Sequence, residues 1–352
     1  MMNMVLIHKE HSMFHIFRTL FLSKNASEEP APVSTDSILK IMDAHLKDIY
    51  NPITPAHDAP PRTPFASAVP ANQVSMMNFT TRQRLAFVRQ AVPLFINMWR
   101  GARLYGRPYV ATRNQIESSQ LRELEQLARS LGAKDIGYVD VPSHLIFKGK
   151  RLPQRHAIVF TVEMKKELIA TSPSFESMHE VSSAYKNLAV IGWNITQFLR
   201  KRGFAAYPGT ALGGLTDYPH VAELAGLGAI GYHGLLISPS DGARMRINVI
   251  YTNIENLPTS TTNPHQWVRD FCAMCRKCVR SCPVDAIFEQ PQPRTGGGHQ
   301  TIDHATCRDY FTRNFGCGVC MAVCPFSQAG YERIKQNFKG NADAPKFVIP
   351  LT

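Results

Sequence analysis

Eight cysteines carry the most specific chemistry in this chain of 352 residues, and all of them fall between Cys272 and Cys324. The first group reads Cys272-Ala-Met-Cys275-Arg-Lys-Cys278-Val-Arg-Ser-Cys282-Pro283; the second reads Cys307, then Cys317-Gly-Val-Cys320-Met-Ala-Val-Cys324-Pro325. Thiolates at these intervals suit polynuclear iron–sulfur chemistry. Three cysteines in C-x-x-C steps wrap a tight loop around one corner of a cubane, and the fourth, carried into the next turn ahead of a proline, points away from it. Paired C-x-x-C units also build structural zinc ribbons, but a tetrahedral zinc site has no use for two C-x-x-x-C-P tails. A disulfide framework would spread its cysteines along a chain this long, so the grouping reads as one metal region in a reducing compartment.

The spacing C-x-x-C-x-x-C-x-x-x-C-P is similar to that of bacterial two-cluster ferredoxins. That resemblance implies two [4Fe-4S] clusters with exchanged fourth ligands: Cys272, Cys275, Cys278 and Cys324 on one, Cys282, Cys307, Cys317 and Cys320 on the other. It also implies their use, the passage of single electrons. Arg276, Lys277, Arg280, Arg308 and Arg313 crowd the cysteines in a chain whose formal charge is +12. Such a field offsets the negative charge of thiolate-ligated clusters and suits an acidic electron donor such as a ferredoxin or flavodoxin. A nucleic-acid partner ranks below the donor, because no nucleic-acid-binding signature appears.

A glycine-rich segment lies upstream: Ala225-Gly226-Leu227-Gly228-Ala229-Ile230-Gly231, then Gly234-Leu235-Leu236-Ile237-Ser238-Pro239 and Gly242, followed by Ile250-Tyr251-Thr252-Asn253. Together with the cysteine block, over roughly residues 115–330, this resembles the cobalamin-dependent reductive dehalogenase and epoxyqueuosine reductase superfamily. The ending Cys320-Met-Ala-Val-Cys324-Pro325-Phe326-Ser327 is closer to the dehalogenases. The resemblance implies a nitroreductase-like α/β (α+β) core, a base-off cobalamin, a small organic substrate and one cluster near the corrin edge. Gly226, Gly228, Gly231, Gly234 and Gly242 are then the expected cofactor-binding positions, where a missing side chain lets backbone approach a large flat ligand; ordinary tight turns are the competing reading. No D-x-H-x-x-G sequence occurs, so histidine ligation of cobalt has no support. Ala229 stands where dehalogenases often carry glutamate, and Thr252-Asn253 replaces their usual Thr-Asp. Neither a twin-arginine leader nor the C-terminal repeats of the queuosine branch is seen, so the expected setting is cytoplasmic.

Reductive cleavage of a carbon-to-leaving-group bond needs a proton donor near the departing atom. The superfamily uses a tyrosine in one branch and an aspartate in the other, and three residues here compete for the role: Tyr185, Tyr218 and Asp217. His220 and His233 flank the glycine-rich turn and read as hydrogen-bonding residues before ligands. Trp193 reads as core.

The elements that must position these groups come from a globular composition, 44% hydrophobic and 19% charged. A helical pattern begins at Thr81, a second helix is expected over residues 115–131 with Gly132 to stop it, and a long one over 182–202. Runs rich in β-branched residues predict strands at 135–141, 156–164 and 247–252. The layout read from this is an N-terminal extension and Pro-rich arm (1–80), an α/β core (81–260), a ferredoxin-like two-cluster domain (261–335) and a tail (336–352). Residues 13–22 fit a short amphipathic helix, and the longest apolar run, 91–99, is far short of the ~20 residues that cross a bilayer. The function expected is an iron–sulfur oxidoreductase passing electrons to base-off cobalamin; the alternatives are an electron carrier that has lost the corrin, or a tRNA-modifying epoxyqueuosine-type reductase. A homodimer is compatible with all three.

Overall fold

The computed structural model describes residues 42–47, 49, 51–61, 79–107, 109–260, 262–293 and 299–340. The amphipathic stretch at 13–22 and the end of the tail, 341–352, lie outside them. Helix α1, Thr81–Leu104, opens on a reciprocal cap in which Thr80 and Gln83 each accept the other's backbone N–H. Helix α2, Ser118–Ser130, stops before Gly132, whose φ of 103° is the left-handed turn a glycine accepts without strain. Strands β1, Ile136–Asp140, and β2, His156–Glu163, follow.

Helix α3 runs Phe175–Lys201, seven residues longer at its start than the sequence pattern indicates. Ser174 and Ser177 bond each other's backbone N–H groups there, a cap that lets the polar opening stretch be helical before the apolar face begins. Strand β3, Ala206–Pro208, helix α4, Tyr218–Leu224, the two-residue strands β4, Ala229–Ile230, and β5, Leu236–Ile237, and strand β6, Met245–Thr252, complete the core.

The main sheet has the order β1-β2-β6-β3 and is antiparallel throughout. Strand β2 is buried at every position from Ala157 to Val162, so both faces of the sheet are covered. Helix α3 lies against β2, β3 and β6 with α1 along it, and α4 packs on β1, β2 and β6. Ahead of α1, Ile53 and Leu152 exchange two backbone hydrogen bonds of 3.0 and 2.9 Å, and Met42 and Leu46 are buried in the core, so these parts of the N-terminal extension are built into the fold. The mixed helix-and-strand class read from the sequence is the one observed.

The cysteine region comprises α5, Trp267–Cys275, α6, Lys277–Arg280, the hairpin β7, Ile287–Pro293, with β8, His299–Ile302, and then α7, His304–Arg313, α8, Val319–Val323, α9, Pro325–Gln328, and α10, Tyr331–Asn337. Its interior is aromatic: Phe271 meets Phe326 edge-on at 5.0 Å, and Trp267 packs on Tyr331 at 5.1 Å while its indole N–H donates to the Tyr331 hydroxyl at 2.9 Å. No helix among the described residues is long and apolar enough to cross a membrane.

Core and cysteine region meet at a buried ion pair. Glu223 on α4 takes one Arg269 nitrogen from α5 at 2.6 Å on each carboxylate oxygen and also accepts the Ile230 N–H at 3.0 Å. Burial raises the Glu223 carboxyl above its ordinary pKa, and the Arg269 guanidinium opposes that rise. Replacing Arg269 by Met strands the carboxylate and is expected to cost about 3–5 kcal/mol at neutral pH. A carboxyl whose folded pKa lies above its unfolded one holds its proton more tightly when folded, so its contribution is lost as pH rises. Removing the opposing cation widens that gap, and the deficit of Arg269→Met should grow from about pH 5 to about pH 8. Thermal melts of metal-loaded protein across that range check it; a deficit independent of pH would contradict the assignment.

Candidate active site and cysteine clusters

Helix α5 ends at Cys275 because Arg276 adopts a left-handed φ of 46°, unfavourable for a residue with a side chain and retained only where the fold enforces it. That reversal brings Cys272, Cys275 and Cys278 together, and Cys324 joins them around one small cavity closed by Phe271, Pro325 and Phe326. The Tyr232 backbone N–H reaches the Cys272 sulfur. In the second group, left-handed Phe315 and Gly316 turn the chain from α7, which carries Cys307, to Cys317 and then α8 with Cys320. None of the eight forms a disulfide.

Burial, followed by the neighbouring charges of Cys324 and Cys275, pushes the Cys278 thiol up to about 12. Burial, followed by Cys282 and Cys317, pushes Cys307 up to about 12. The two sets of four named above are therefore neighbours in space as well as in motif. The Cys320 thiol is raised by burial and then by Cys278 of the first set, so the two sets adjoin.

Cys307, Cys317 and Cys320 lie on the wall of a far larger cavity, about 480 Å³, between the core and the cysteine region. Its lining is mainly apolar, with Phe79, Phe87, Phe95 and Phe147 on the core side, and all three acid candidates face it. Tyr185, half-buried on α3, has Arg246 of β6 5.3 Å from its ring centre. Its hydroxyl has no hydrogen-bond partner among the described residues. Tyr218 is buried, donates to the Thr210 carbonyl at 3.2 Å and shares a hydrogen bond with Tyr251. Asp217 sits 3.0 Å from the His220 imidazole. Of the three, Tyr185 alone presents an uncommitted proton.

Sequence reasoning missed Arg246, although it is the one charged residue in the strand Met245–Thr252. Its Nε is buried without a partner among the described residues, and a terminal nitrogen lies 3.6 Å from the Met321 sulfur. His299 and His304 also line the cavity and were not singled out. Trp193 does not line it; the Arg100 guanidinium stacks over its indole at 5.7 Å, against α1.

Of the five glycines proposed for cofactor contact, Gly234 alone lines the cavity. A Cβ on Gly228 would stand 2.2 Å from the Ile237 carbonyl oxygen, one on Gly231 2.6 Å from the Ile237 side chain, and one on Gly242 2.5 Å from the Phe326 backbone. These three let chain approach chain and hold the β4–β5 turn that carries Gly234. Gly226 faces Ser260 at 3.9 Å, while Gly213 and Gly214, not foreseen, are on the cavity wall. Asn253, in place of the family's aspartate, accepts the Ala205 N–H and donates to the Arg113 carbonyl, both at 2.8 Å; a carboxylate could not make the second bond. His233 is 1% exposed, its Nδ1 accepts the Leu235 N–H at 3.2 Å, and burial lowers its pKa to about 4.

Residues 271–328 match the family described as a 4Fe-4S dicluster domain. Over 191 residues the chain is 35% identical to a tetrachloroethene reductive dehalogenase of Desulfitobacterium hafniense, a match that takes in 49% of this chain and 33% of that one. An epoxyqueuosine reductase of Cyclobacterium marinum is 29% identical over 142 residues, 36% of this chain and 41% of that one. A solved reductive dehalogenase structure, reported as suggesting a mechanism for B12-dependent dehalogenation, superposes with a TM-score of 0.60 at 18% identity, covering 84% of this chain and 47% of the other. The matched part spans about a third of the curated dehalogenase's length. The chain thus has the reductive dehalogenase fold with an iron–sulfur region at its C-terminal side, and the resemblance to the superfamily holds, with the dehalogenase branch favoured.

The packing around Gly228 gives a direct test. Gly228→Ala must push β5 away and should cost about 1–3 kcal/mol of stability. Thermal melts should show the same loss with and without added corrinoid, whereas a loss appearing only with corrinoid would make Gly228 a ligand contact.

Proposed function

We propose that this chain is an iron–sulfur oxidoreductase of the reductive-dehalogenase kind, passing single electrons through two [4Fe-4S] clusters towards a base-off cobalamin for reductive cleavage or reduction of a small organic substrate. The observation that carries the reading is the shared wall: Cys307, Cys317 and Cys320 line the same apolar cavity as Tyr185 and Arg246. A metal set and a proton source on one water-poor cavity are what a reductive cleavage needs.

The residues fit a corrinoid in kind. A broad apolar wall, the backbone at Gly213, Gly214 and Gly234, and the buried Arg246 Nε, without a partner among the described residues, suit a flat ligand with a polar rim. When bound, cobalamin supplies a strongly reducing metal able to break a carbon-to-leaving-group bond. Tyr185 holds the proton at its hydroxyl, on a rigid helix, and the Arg246 guanidinium places positive charge where a departing anion would collect. Phe79, Phe87, Phe95 and Phe147 exclude water. At the other set of cysteines, exposed Met274, Lys277 and Arg280 form a basic surface with an apolar centre, suited to an acidic one-electron donor.

Anaerobically reconstituted protein is expected to hold about eight irons per chain. Cys282→Ala should remove the cluster built on the second group, measured as iron content and loss of one paramagnetic signal. About four irons in the parent protein, or stoichiometric zinc, would reject the reading. Added cobalamin should show a base-off optical spectrum. Tyr185→Phe should keep iron content and corrinoid binding and lower single-turnover reduction by about 10²- to 10⁴-fold, with Tyr218→Phe and Asp217→Asn as parallels. Undiminished turnover in Tyr185→Phe would transfer the acid role to the Asp217–Tyr218 loop.

A further inference from the structure

His233 is the one residue of the core that lines both cavities, the large one and the small one around Cys272, Cys275, Cys278 and Cys324. Every other residue lining the small cavity belongs to the cysteine region. The imidazole is fixed from behind. Its Nδ1 accepts a backbone N–H, from Leu235 at 3.2 Å, and since an amide N–H can only donate, the ring proton resides on Nε2. That Nε2–H is buried, in a side chain 1% exposed, and has no partner among the described residues. The turn holding it is already committed to the same sulfurs, because the adjacent Tyr232 backbone N–H reaches Cys272.

We propose that His233 Nε2–H donates a hydrogen bond to the sulfur envelope of the cluster held by Cys272, Cys275, Cys278 and Cys324, and so sets that cluster's reduction potential. The inference rests on the two-cluster reading above. Reduction of a [4Fe-4S] cluster adds one electron, delivered by the acidic donor, and no proton; the added negative charge is shared by the sulfurs. An N–H dipole aimed at them stabilises the reduced form more than the oxidised form and raises the potential. His233 is thus a positioning residue for electron entry, placed where the core touches the cluster that lies away from the large cavity.

The test is a potentiometric titration followed by electron paramagnetic resonance on reconstituted protein, with each signal assigned by its change in Cys324→Ser or Cys282→Ala. His233→Phe keeps the ring and removes the donor. It should leave iron content unchanged, shift the first-group cluster to a lower potential and leave the second-group potential and the corrinoid affinity in place. His233→Gln restores an N–H and should return the potential towards that of the parent. If His233→Phe instead loses iron from that site, a parent-like potential in His233→Gln still supports the proposal and a lowered one overturns it. An unmoved potential in His233→Phe, or weakened corrinoid binding with both potentials unmoved, overturns it and gives the Nε2–H to the occupant of the large cavity. Absence of any first-group cluster signal in the parent protein would remove the two-cluster reading itself, which separates the two failures.

Discussion

The arrangement depends on one buried carboxylate. Glu223 is 1% exposed, and three partners satisfy the group around it: Arg269 on both oxygens, the Ile230 N–H on one of them, and the Asn263 amide on its backbone carbonyl. Asn263 also donates to the Gly228 carbonyl at 2.8 Å. Through this single residue the α4 helix, the β4–β5 turn and the helix bearing Cys272 are tied at one point. A charge in that position is tolerated only with all its bonds made, so the register between core and cysteine region is held tightly. The wall of the large cavity and the placement of His233 follow from that register.

The cysteine region carries a second constraint, and it opposes the first. Eight thiols are packed where burial raises most of their pKa values and where each ionised sulfur would repel its neighbours. Protonated, they are weak hydrogen-bonding groups with little to hold the left-handed turns at Arg276 and Phe315–Gly316 in place; ionised without a counter-charge, they repel. A multi-iron cluster resolves the conflict by replacing the protons with a cationic core, which makes metal binding part of the folding free energy of this region. The aromatic contacts among Trp267, Phe271, Phe326 and Tyr331 supply the remaining packing on one side only.

What could be read from the sequence divides along physical lines. The cysteine region as a whole was legible because ligand spacing is local, and it is the part that matches the dicluster family. The strands β1, β2 and β6 were legible to within two residues because buried strands are nearly continuous β-branched runs. The start of α3 was hidden, since a Ser-x-x-Ser cap with Glu176, His179 and Glu180 behind it looks polar until the fold shows what those residues meet; Glu180 accepts the Lys165 backbone N–H at 2.8 Å. Strands β3, β4 and β5, of three, two and two residues, carry no period at all. The glycines show the limit most clearly. Sequence reveals that a side chain is missing at Gly228 or Gly242, but whether the space is kept for a ligand or for another stretch of backbone is decided by chain segments that follow in the sequence, Ile237 in one case and Phe326 in the other.

The two cysteine sets are not equivalent in their surroundings, and on the proposed reading that asymmetry would give the electron route a direction. The first set lies near Met274, Lys277 and Arg280, all exposed, and meets the core at the Tyr232–His233 turn. The second set faces the large cavity with three of its sulfurs and no comparable exposed apolar surface. On the proposed two-cluster reading, an electron entering at the basic surface would meet the first set, pass to the second and reach the cavity wall beside Tyr185. Reversing the order would put the docking charge on the substrate side and the apolar cavity against solvent. The charge pattern and the cavity are thus consistent with one proposed path, with His233 beside the first set and Tyr185 on the cavity wall.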